Sequence, residues 1–219
     1  MAVTPLHKQV TLADFVTLLN AFVGIAAILA AAQHRIDLAA ALILLGILVD
    51  GLDGATARLF GGGPLGGTLD ALSDAITFAA APAVLIIESG DDWLSYAGGA
   101  MFLMGGLFRL ARFESIRNGE DPGHFWGIST PGGAILVAGT LLVGAPATSV
   151  AGTAIVAAML MTTSLPYPKL RGALGIAGVL VILGALVAFG LGHGDYGGWA
   201  MLAFMVAYTL GGPAYVRRS

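Results

Sequence analysis

Residues 49–78 read VDGLDGATARLFGGGPLGGTLDALSDAITF, and this stretch decides how the chain folds. Apolar residues flank the glycine-rich centre GGGPLGG at residues 61–67, a pattern typical of two helices joined by a tight turn. Such a turn reverses the chain, so we expect the two helices to be antiparallel. Both helices also carry carboxylates, which are rare in apolar segments. They are Asp50 and Asp53 before the turn, and Asp70 and Asp74 after it.

Each predicted helix gathers its polar residues into one stripe. At 100° per residue, the first stripe covers an arc of about 140° and contains Asp50, Asp53, Gly54, Ala57 and Arg58. The second stripe covers about 100° and contains Asp70, Ser73, Asp74 and Thr77. We expect the two stripes to face each other. Gly54 and Gly66 remove side chains at points where a backbone or a ligand comes close.

The composition of the whole chain excludes most soluble classes of protein. Of its 219 residues, 57% are hydrophobic and 11% are charged, and the mean hydropathy is +0.88. A soluble domain carries about 25% charged residues, so a soluble domain and a disordered chain are both excluded. The net charge of −3 does not suit a nucleic-acid binder, and the absence of cysteine excludes disulfides and thiolate chemistry. We therefore expect residues 1–219 to form a single integral membrane domain.

Apolar runs predict about eight membrane-spanning helices, because one span needs roughly 20 apolar residues. The runs are Leu12–Ala32, Leu38–Phe60, Leu69–Ile87, Trp93–Phe113, Thr130–Val143, Val150–Leu165, Ala173–Leu191 and Gly197–Tyr215. The fifth and sixth runs are short, so six or seven true spans also fit the pattern. Pro82 lies within the third run and should kink that helix rather than end it. The expected fold is an all-α, polytopic membrane helix bundle.

The basic residues predict the orientation of this bundle. If the spans alternate in direction, nine of the ten Lys and Arg residues fall on one side. They are Lys8, Arg58, Arg109, Arg112, Arg117, Lys169, Arg171, Arg217 and Arg218, and only Arg35 falls on the other side. The positive-inside rule then places both termini in the cytoplasm. Because the carboxylates lie near the same ends of their helices, the candidate site is expected at the cytoplasmic rim.

The energetic cost of the four aspartates indicates a metal site. An ionised aspartate at mid-membrane costs roughly 2.5–3.5 kcal/mol, so four cost on the order of 10 kcal/mol before their mutual repulsion. Arg58 is the only basic residue near them in sequence. Carboxylate oxygens are the ligands that Mg²⁺, Mn²⁺ and Ca²⁺ prefer, and no histidine accompanies the cluster to favour zinc. The pattern therefore predicts a site for divalent cations.

Three interpretations of the aspartates remain open from the residues alone. They are helix-end residues without a shared role, a path for cation transport, or a metal centre that acts on phosphate. Four carboxylates at i,i+3 and i,i+4 spacing argue against the first. Transport paths carry polar groups through the membrane depth, whereas here the outer halves of the helices are apolar. Metal ions neutralise a diphosphate, and a further carboxylate accepts the proton of an attacking hydroxyl, which favours the third.

Eight fixed positions in this stretch resemble the signature of the CDP-alcohol phosphatidyltransferases. They read Asp50-x2-Asp53-Gly54-x2-Ala57-Arg58-x7-Gly66-x3-Asp70-x3-Asp74. The family usually has eight residues, not seven, between the arginine and the second glycine. TLLNAFVG (17–24), LDALSDAITFAAAPA (69–83), LARFE (110–114) and FWGISTPGGA (125–134) are similar to the serine-specific members of that family.

The resemblance implies a reaction and a role for each signature residue. A CDP-activated lipid, CDP-diacylglycerol or CDP-archaeol, would bind with its diphosphate on two divalent cations, Mg²⁺ or Mn²⁺, with Ca²⁺ also compatible. The metal ligands would be Asp50, Asp53, Asp70 and Asp74, and Asp74 would be the catalytic base toward the acceptor hydroxyl. The residues implied to contact the CDP-lipid are Asp50, Gly54, Ala57, Arg58 and Gly66. The resemblance also implies a homodimer, and membrane lipids but no nucleic acid as partners.

The acceptor implied by the serine-specific resemblance is L-serine, with CMP as the leaving product. Candidates for the acceptor carboxylate or a lipid phosphate are Arg109 and Arg112, with Ser129 and Thr130 beside them; plain positive-inside topology and helix capping are their alternatives. Thr17 and Asn20 face either the nucleotide or a neighbouring helix. Lys169 and Arg171 are placed to meet anionic lipid headgroups. Glycerol 3-phosphate or inositol phosphate is the alternative acceptor, and a divalent cation transporter is the alternative of another class.

Overall fold

The computed structural model describes residues 5–6, 9–116, 123–170 and 172–217. It is a bundle of eight apolar helices, of which the third is built from three consecutive pieces. The elements are α1 (Leu12–Ala32), α2 (Ile36–Phe60), α3 (Gly66–Asp74), a π-helical segment (Ala75–Ala80), α4 (Ala81–Glu88), α5 (Trp93–Ile116), β1 (His124–Trp126), α6 (Thr130–Leu142), α7 (Ala147–Thr162), β2 (Pro166–Pro168), α8 (Gly172–Gly190) and α9 (Gly194–Val216). The predicted all-α membrane bundle is confirmed.

Six of these helices are long and apolar enough to span a membrane. They are α1, α2, the continuous helix Gly66–Glu88, α5, α8 and α9. The other two, α6 and α7, have 13 and 16 residues and fall short of the roughly 20 that a span needs. Helix α6 lies inside the bundle against α2, α7 and α9, and nearly all of its side chains are buried. The two runs that are short in the sequence are therefore also the short helices.

As predicted, the helix that contains Pro82 continues past this residue. Proline lacks the N–H that an α-helical hydrogen bond needs, and its ring collides with the carbonyl of the preceding turn. The chain accommodates this by widening into the π-helical segment Ala75–Ala80, which ends two residues before Pro82. A π-helical turn is a common way to absorb such a disruption, and it often lies beside a functional site.

Helix α1 lies between the two helices that carry the carboxylates. The Thr17 hydroxyl donates to Asp53 Oδ2 on α2 at 2.8 Å, and Ser73 on α3 donates to the Thr17 carbonyl at 2.9 Å. One turn further on, the Thr77 hydroxyl donates to the Asn20 carbonyl at 2.9 Å. The two polar stripes therefore do not pack directly on each other along their length. They are both attached to α1 and converge at one end.

A pair of three-residue strands was not predicted. Strands β1 and β2 pair antiparallel, with Phe125 opposite Tyr167. Tyr167 stacks on Tyr208 of α9, and the Tyr208 hydroxyl donates to the Pro168 carbonyl at 2.9 Å. The strands close the same end of the bundle as the carboxylates. Three residues are too few to show the alternation of a strand, and β2 also contains two prolines.

The element order gives a structural basis for the charge asymmetry. Successive spans joined by short connections alternate in direction, so Arg58, Arg109, Arg112, Lys169 and Arg217 lie at one end of the bundle and Arg35 at the other. At the Arg35 end, His34 lies 3.5 Å from Glu88. Four basic residues used in the orientation prediction, Lys8, Arg117, Arg171 and Arg218, lie outside the described residues.

Close packing of α1 on the π-helical segment gives a first testable prediction. A Cβ added at Gly24 would lie 2.8 Å from the Thr77 Cα, a backbone atom that cannot rotate away. We expect Gly24→Ala to lower the free energy of unfolding by about 1–3 kcal/mol, the usual cost of overpacking. Thermal unfolding in detergent measures the change. Gly152→Ala in α7 is the control, because a Cβ there meets no atom within 4 Å; equal losses in both variants would contradict the packing argument.

Candidate active site

Three carboxylates meet where α2 and α3 converge. Asp50 comes from α2, and Asp70 and Asp74 come from successive turns of α3. One oxygen of each lies within 4.8 Å of the other two. The i,i+4 spacing places Asp70 and Asp74 on one face of α3, and the reversal at the glycine turn brings that face to Asp50. The predicted convergence of the two stripes is thus present at this point.

The cluster fits a divalent cation by the chemistry of its donors. All of its ligand atoms are carboxylate oxygens, which Mg²⁺ and Mn²⁺ prefer. Asp74 is 9% exposed, and its Oδ1 is buried without a hydrogen-bond partner among the described residues. A buried carboxylate oxygen without a partner costs about 1–3 kcal/mol or more. A bound cation removes this cost and also the repulsion between the three groups.

Asp53 is held apart from the other three carboxylates. Its Oδ2 accepts the hydrogen bond from the Thr17 hydroxyl, which also donates to the Ala13 carbonyl at 3.1 Å. The side chain is 8% exposed and borders two cavities. Thr17 is therefore a partner of a signature carboxylate, and it ties α1 to the site.

The larger cavity has a volume of about 970 Å³ and joins the carboxylates to an apolar wall. Its polar lining comprises Asp50, Asp53, Arg58, Asp70, Asp74, Arg109, Glu114 and Ser129. Its apolar wall comes from the start of α8 and includes Gly175, Ile176, Val179 and Leu180. Acidic side chains outnumber the two arginines, so the cavity attracts cations. The cavity therefore has a charged end and an apolar end, and one amphipathic ligand could contact both.

A smaller cavity of about 240 Å³ lies under the glycine turn. It is lined by Ala13, Asp14, Thr17, Asp53, Gly54, Ala57, Gly62, Gly63, Gly66, Gly67 and Asp70. Three of these residues, Asp53, Gly54 and Asp70, also line the larger cavity. The lining consists mostly of glycine and alanine, which leaves room for a flat group. The two cavities are therefore two arms that meet at the carboxylates.

Arg109 is the buried cation of the site. It is 7% exposed, lines the larger cavity, and donates from Nη1 to the Thr130 hydroxyl at 3.3 Å. Its guanidinium lies over the rings of Phe113 and Phe125, 5.2 and 5.6 Å from their centres. These contacts hold the group in place. A preorganised guanidinium beside the carboxylates is suited to bind an anionic part of a ligand.

Arg112 has a different environment from Arg109. Its two Nη atoms donate to the carbonyls of Met161, Thr162, Thr163 and Trp126 at 2.7–3.2 Å. Three of these carbonyls are the unpaired ones at the end of α7, and the fourth belongs to β1. Arg112 thus caps α7 and attaches it to the strand pair. These contacts use the N–H donors of Arg112 that would otherwise bind the carboxylate of an acceptor.

This cap gives a second testable prediction. We expect Arg112→Lys to destabilise the protein by about 1.5–3 kcal/mol, because an ammonium on a flexible stem loses at least one charge-assisted bond of the planar fork. The measurement is the midpoint of thermal unfolding in detergent. Arg35→Lys serves as the matched control, since Arg35 is exposed at the opposite end of the bundle. An Arg112→Lys protein as stable as this control would rule out the cap.

The remaining predicted site residues lie at different depths. Ser129 lines the larger cavity, and its hydroxyl accepts from the Gly132 N–H at 3.1 Å as the N-cap of α6. Thr130 is fully buried behind Arg109. Asn20 is also fully buried, with its amide oxygen beside Gly46 of α2. Lys169 lies at the same end of the bundle, 5.5 Å from the centre of the Phe125 ring; Arg171 lies outside the described residues.

Asp14 is a residue of the site that the sequence alone does not single out. It lies in the first turn of α1, is fully buried, and lines the smaller cavity. The sequence contained a signal for its local structure, because Thr11-x-x-Asp14 is the pattern of a capping box. It contained no signal that α1 places this carboxylate beside a glycine turn some 50 residues further on.

Comparison with known proteins agrees with the geometry. The model of the CDP-alcohol phosphatidyltransferase family matches residues 10–165. The archaetidylserine synthase of Methanothermobacter thermautotrophicus is 32% identical over 169 residues, which cover 74% of this chain and 72% of that protein. For the CDP-diacylglycerol–serine O-phosphatidyltransferases of Methanocaldococcus jannaschii and Helicobacter pylori, the identities are 35% over 167 residues and 31% over 137 residues. The alignment with the Methanocaldococcus protein covers 75% of this chain and 77% of that protein. The alignment with the Helicobacter protein covers 61% of this chain and 58% of that protein. The chain belongs to the CDP-alcohol phosphatidyltransferase family.

Proposed function

We propose that this enzyme transfers a phosphatidyl-type group from a CDP-activated lipid to the hydroxyl of L-serine and releases CMP, as a step of phospholipid biosynthesis. The observation that carries the proposal is the meeting of three carboxylates, within 4.8 Å, at the head of a cavity with an apolar wall. The names of the relatives add the serine acceptor. Family membership leaves no support for the alternative of a cation transporter.

The proposed metal ligands are Asp50, Asp53, Asp70 and Asp74. Two divalent cations, Mg²⁺ or Mn²⁺ with Ca²⁺ also compatible, would neutralise the diphosphate of the donor and stabilise the leaving CMP. The chain's part in this is to hold its carboxylates in place. Asp53 is oriented by the Thr17 hydroxyl, and the other three are fixed by the convergence of α2 with α3.

Asp74 is the proposed base. Its carboxylate is buried at the cluster, and the oxygen that does not bind a cation accepts the proton of the serine hydroxyl. The serine oxygen then forms a bond to the lipid-side phosphorus, and the bond from that phosphorus to the CMP oxygen breaks. CMP leaves with the electron pair of that bond. The site needs no covalent enzyme intermediate for this single displacement.

The donor lipid is proposed to lie in both arms of the site. Its chains fit along α8, where Ile176, Val179 and Leu180 are between 47% and 63% exposed and would meet bilayer lipid. An apolar wall of this kind accepts either diacylglycerol or archaeol chains, so both donors belong in the test. The nucleotide fits against the signature residues Gly54, Ala57, Arg58 and Gly66.

The proposed anchor for the serine carboxylate is Arg109. It is the buried guanidinium of the larger cavity, and Thr130 and the two phenylalanine rings hold it in place. Ser129 lines the same cavity and is a candidate for a further polar contact. We expect Arg109→Lys to raise the KM for serine about tenfold or more, because a lysine cannot bind a carboxylate with two parallel bonds. Steady-state kinetics at saturating CDP-lipid measure this, with Arg35→Lys as the control.

The proposed orientation places the site at the cytoplasmic face of the cell membrane, with both termini on that side. The support is the charge asymmetry between the two ends of the bundle. Lys169 lies at this end and is proposed to lie near anionic lipid headgroups. A homodimer is the proposed oligomeric state, and native mass spectrometry in detergent tests it.

A panel of acceptors tests the proposed function. Purified full-length protein receives CDP-diacylglycerol or CDP-archaeol, Mg²⁺ or Mn²⁺, and serine, glycerol 3-phosphate or inositol phosphate. We expect CMP release when the acceptor is serine, and none when it is glycerol 3-phosphate or inositol phosphate. Absence of CMP release with every acceptor would contradict phosphatidyl transfer, whereas release with inositol phosphate or glycerol 3-phosphate but not serine would contradict only the serine assignment.

A further inference from the structure

A third cavity, of about 800 Å³, lies between α8 and α9 and is called here the α8–α9 groove. It is lined by Ala173, Leu174 and Ala177 of α8, by the last turns of α9 and by the end of β2. The larger cavity uses a different face of α8, and the described linings of the two share no residue. At 100° per residue, the centres of these two faces are about 140° apart. Helix α8 therefore separates the groove from the candidate active site.

The groove is about as long as one leaflet of a bilayer is thick. Phe204 lies at its deep end and Tyr215 at its rim, eleven residues apart on α9. At 1.5 Å per residue, this separation is about 16 Å. Half of the hydrocarbon core of a bilayer is about 15 Å thick. A chain of a membrane lipid that enters from one leaflet therefore matches the depth of the groove.

Small residues keep the groove open between the two helices. Ala173 and Ala177 line it from α8, and Ala207 and Gly211 line it from α9. Ala207 and Gly211 are both exposed, and a Cβ added at Gly211 would meet no atom within 4 Å. Both helices are long and apolar enough to span the membrane. The open space therefore faces lipid rather than water, and an apolar chain is the occupant that suits its walls.

The rim of the groove adds a positive charge to these apolar walls. Lys169 is the one charged side chain of the described lining, and its Nζ lies 5.5 Å from the centre of the Phe125 ring. Tyr215, also at the rim, is 66% exposed, and tyrosine prefers the level of the lipid headgroups. A neutral occupant would fill the groove without using the lysine. A cation above an apolar groove complements a lipid with a negatively charged headgroup.

We propose that the α8–α9 groove binds an anionic phospholipid of the membrane, with one chain between the two helices and the phosphate at Lys169. This lipid is a second one, distinct from the CDP-lipid of the proposed reaction, because it lies on the other side of α8. It also contacts Pro168 and Tyr208, whose hydrogen bond attaches β2 to α9. Binding is therefore expected to stabilise this end of the bundle.

The first experiment tests the charge of the headgroup. Delipidated full-length protein in a neutral detergent is titrated with phosphatidylglycerol or phosphatidylcholine of identical chains, and the shift in melting temperature gives the affinity. A chelator is present, so that the carboxylate cluster holds no cation that could bind a lipid phosphate. We expect phosphatidylglycerol to bind about fivefold more tightly, which corresponds to about 1 kcal/mol for one basic residue. Lys169→Gln should abolish this preference, and Lys169→Arg should retain it.

The second experiment tests the position of the chain. Gly211→Phe places a ring in the groove without a collision, because a Cβ there meets open space. We expect it to weaken the binding of both lipids at least tenfold. Gly184→Phe is the matched control, since Gly184 is an exposed glycine of α8 outside the groove, and a Cβ there also meets no atom within 4 Å. This control should bind both lipids as wild type does.

Several results would overturn the proposal. Equal affinities of wild type for the two lipids, or a preference that persists in Lys169→Gln, would remove the headgroup contact; this pair of results decides even if Gly211→Phe does not fold. Unchanged binding in Gly211→Phe would place the lipid elsewhere. Native mass spectra in which Gly211→Phe turns a dimer into monomers would assign the groove to a second copy of the chain. CMP release by wild type tests the proposed function separately, so either proposal can fail without the other.

Discussion

Asp74→Asn is expected to reduce the rate of CMP release by at least about 100-fold, the lower range for loss of a general base. An asparagine amide has nearly the shape of the carboxylate but does not accept a proton from the serine hydroxyl. It also withdraws one negative charge from the three-carboxylate cluster of Asp50, Asp70 and Asp74. Because Asp50, Asp53 and Asp70 remain, binding of the CDP-lipid should be retained in part.

Separate assays of binding and turnover distinguish these two effects. Turnover is followed as CMP released at saturating donor and serine, and binding as the shift in melting temperature with the CDP-lipid. Asp91→Asn is the matched control, since Asp91 is an exposed carboxylate between α4 and α5, at the other end of the bundle. Normal turnover in Asp74→Asn would show that another group takes the proton. A complete loss of donor binding would place Asp74 in binding rather than in proton transfer.

The positions of the helices could be predicted because the bilayer constrains them strongly. A span must be apolar and of a certain length, so hydropathy alone placed every end of the eight described helices within three residues. The sixth run shows the limit of this reasoning. It was predicted as Val150–Leu165, but the helix is Ala147–Thr162, because Pro146 precedes its first turn and the carbonyls at its end turn toward Arg112.

Contacts between distant parts of the chain could not be predicted in the same way. Helical spacing indicates which residues share a face, but it does not indicate what packs against that face. Thr77 shows this, because it is wedged beside Gly24 of α1 and Gly46 of α2. The insertion of α1 between α2 and α3 depends on these glycines, and their partners are not encoded in local sequence. The cap provided by Arg112 belongs to the same class of contact.

The candidate site could be predicted to the extent that it depends on spacing within one segment. Asp50, Asp70 and Asp74 converge because helix periodicity and the glycine turn require it, and both features lie within 30 consecutive residues. Asp14 depends on the docking of α1 instead. A lone carboxylate in the first turn of a helix is most simply explained as a cap, so only the structure shows its free oxygen beside the glycine turn.

Asp50→Asn is expected to reverse the effect of divalent cations on stability. With no cation bound, three carboxylates within 4.8 Å repel one another when all are ionised, at up to about 3 kcal/mol for each pair at 5 Å and an effective dielectric constant of 20. Proton binding relieves part of this repulsion, and the part that remains disfavours the folded state. Replacing Asp50 by a neutral amide removes two of the three repulsive pairs. The metal-free variant should therefore unfold at a higher temperature than metal-free wild type, although it has lost a signature residue.

The same substitution is expected to reduce the response to metal. Cations at 100 times their dissociation constant stabilise a protein by about 2.7 kcal/mol, which wild type should show and Asp50→Asn should largely lose. Turnover at saturating Mg²⁺ or Mn²⁺ should fall by roughly 10²–10³-fold, since stabilisation of charge at a phosphate by metal is worth several kcal/mol. In wild type, a chelator should abolish CMP release, and added Mg²⁺ or Mn²⁺ should restore it.

Melting curves with chelator and with Mg²⁺ or Mn²⁺ measure the effect, and Asp37→Asn on the same helix is the control because its carboxylate is exposed. The opposite signs of the two changes make the result informative. A residue that only holds the fold together would lower stability in both conditions when it is replaced. Replacing a residue that binds a cation lowers stability only when the cation is present. A metal-free Asp50→Asn protein less stable than metal-free wild type would therefore assign Asp50 to packing and contradict the metal centre.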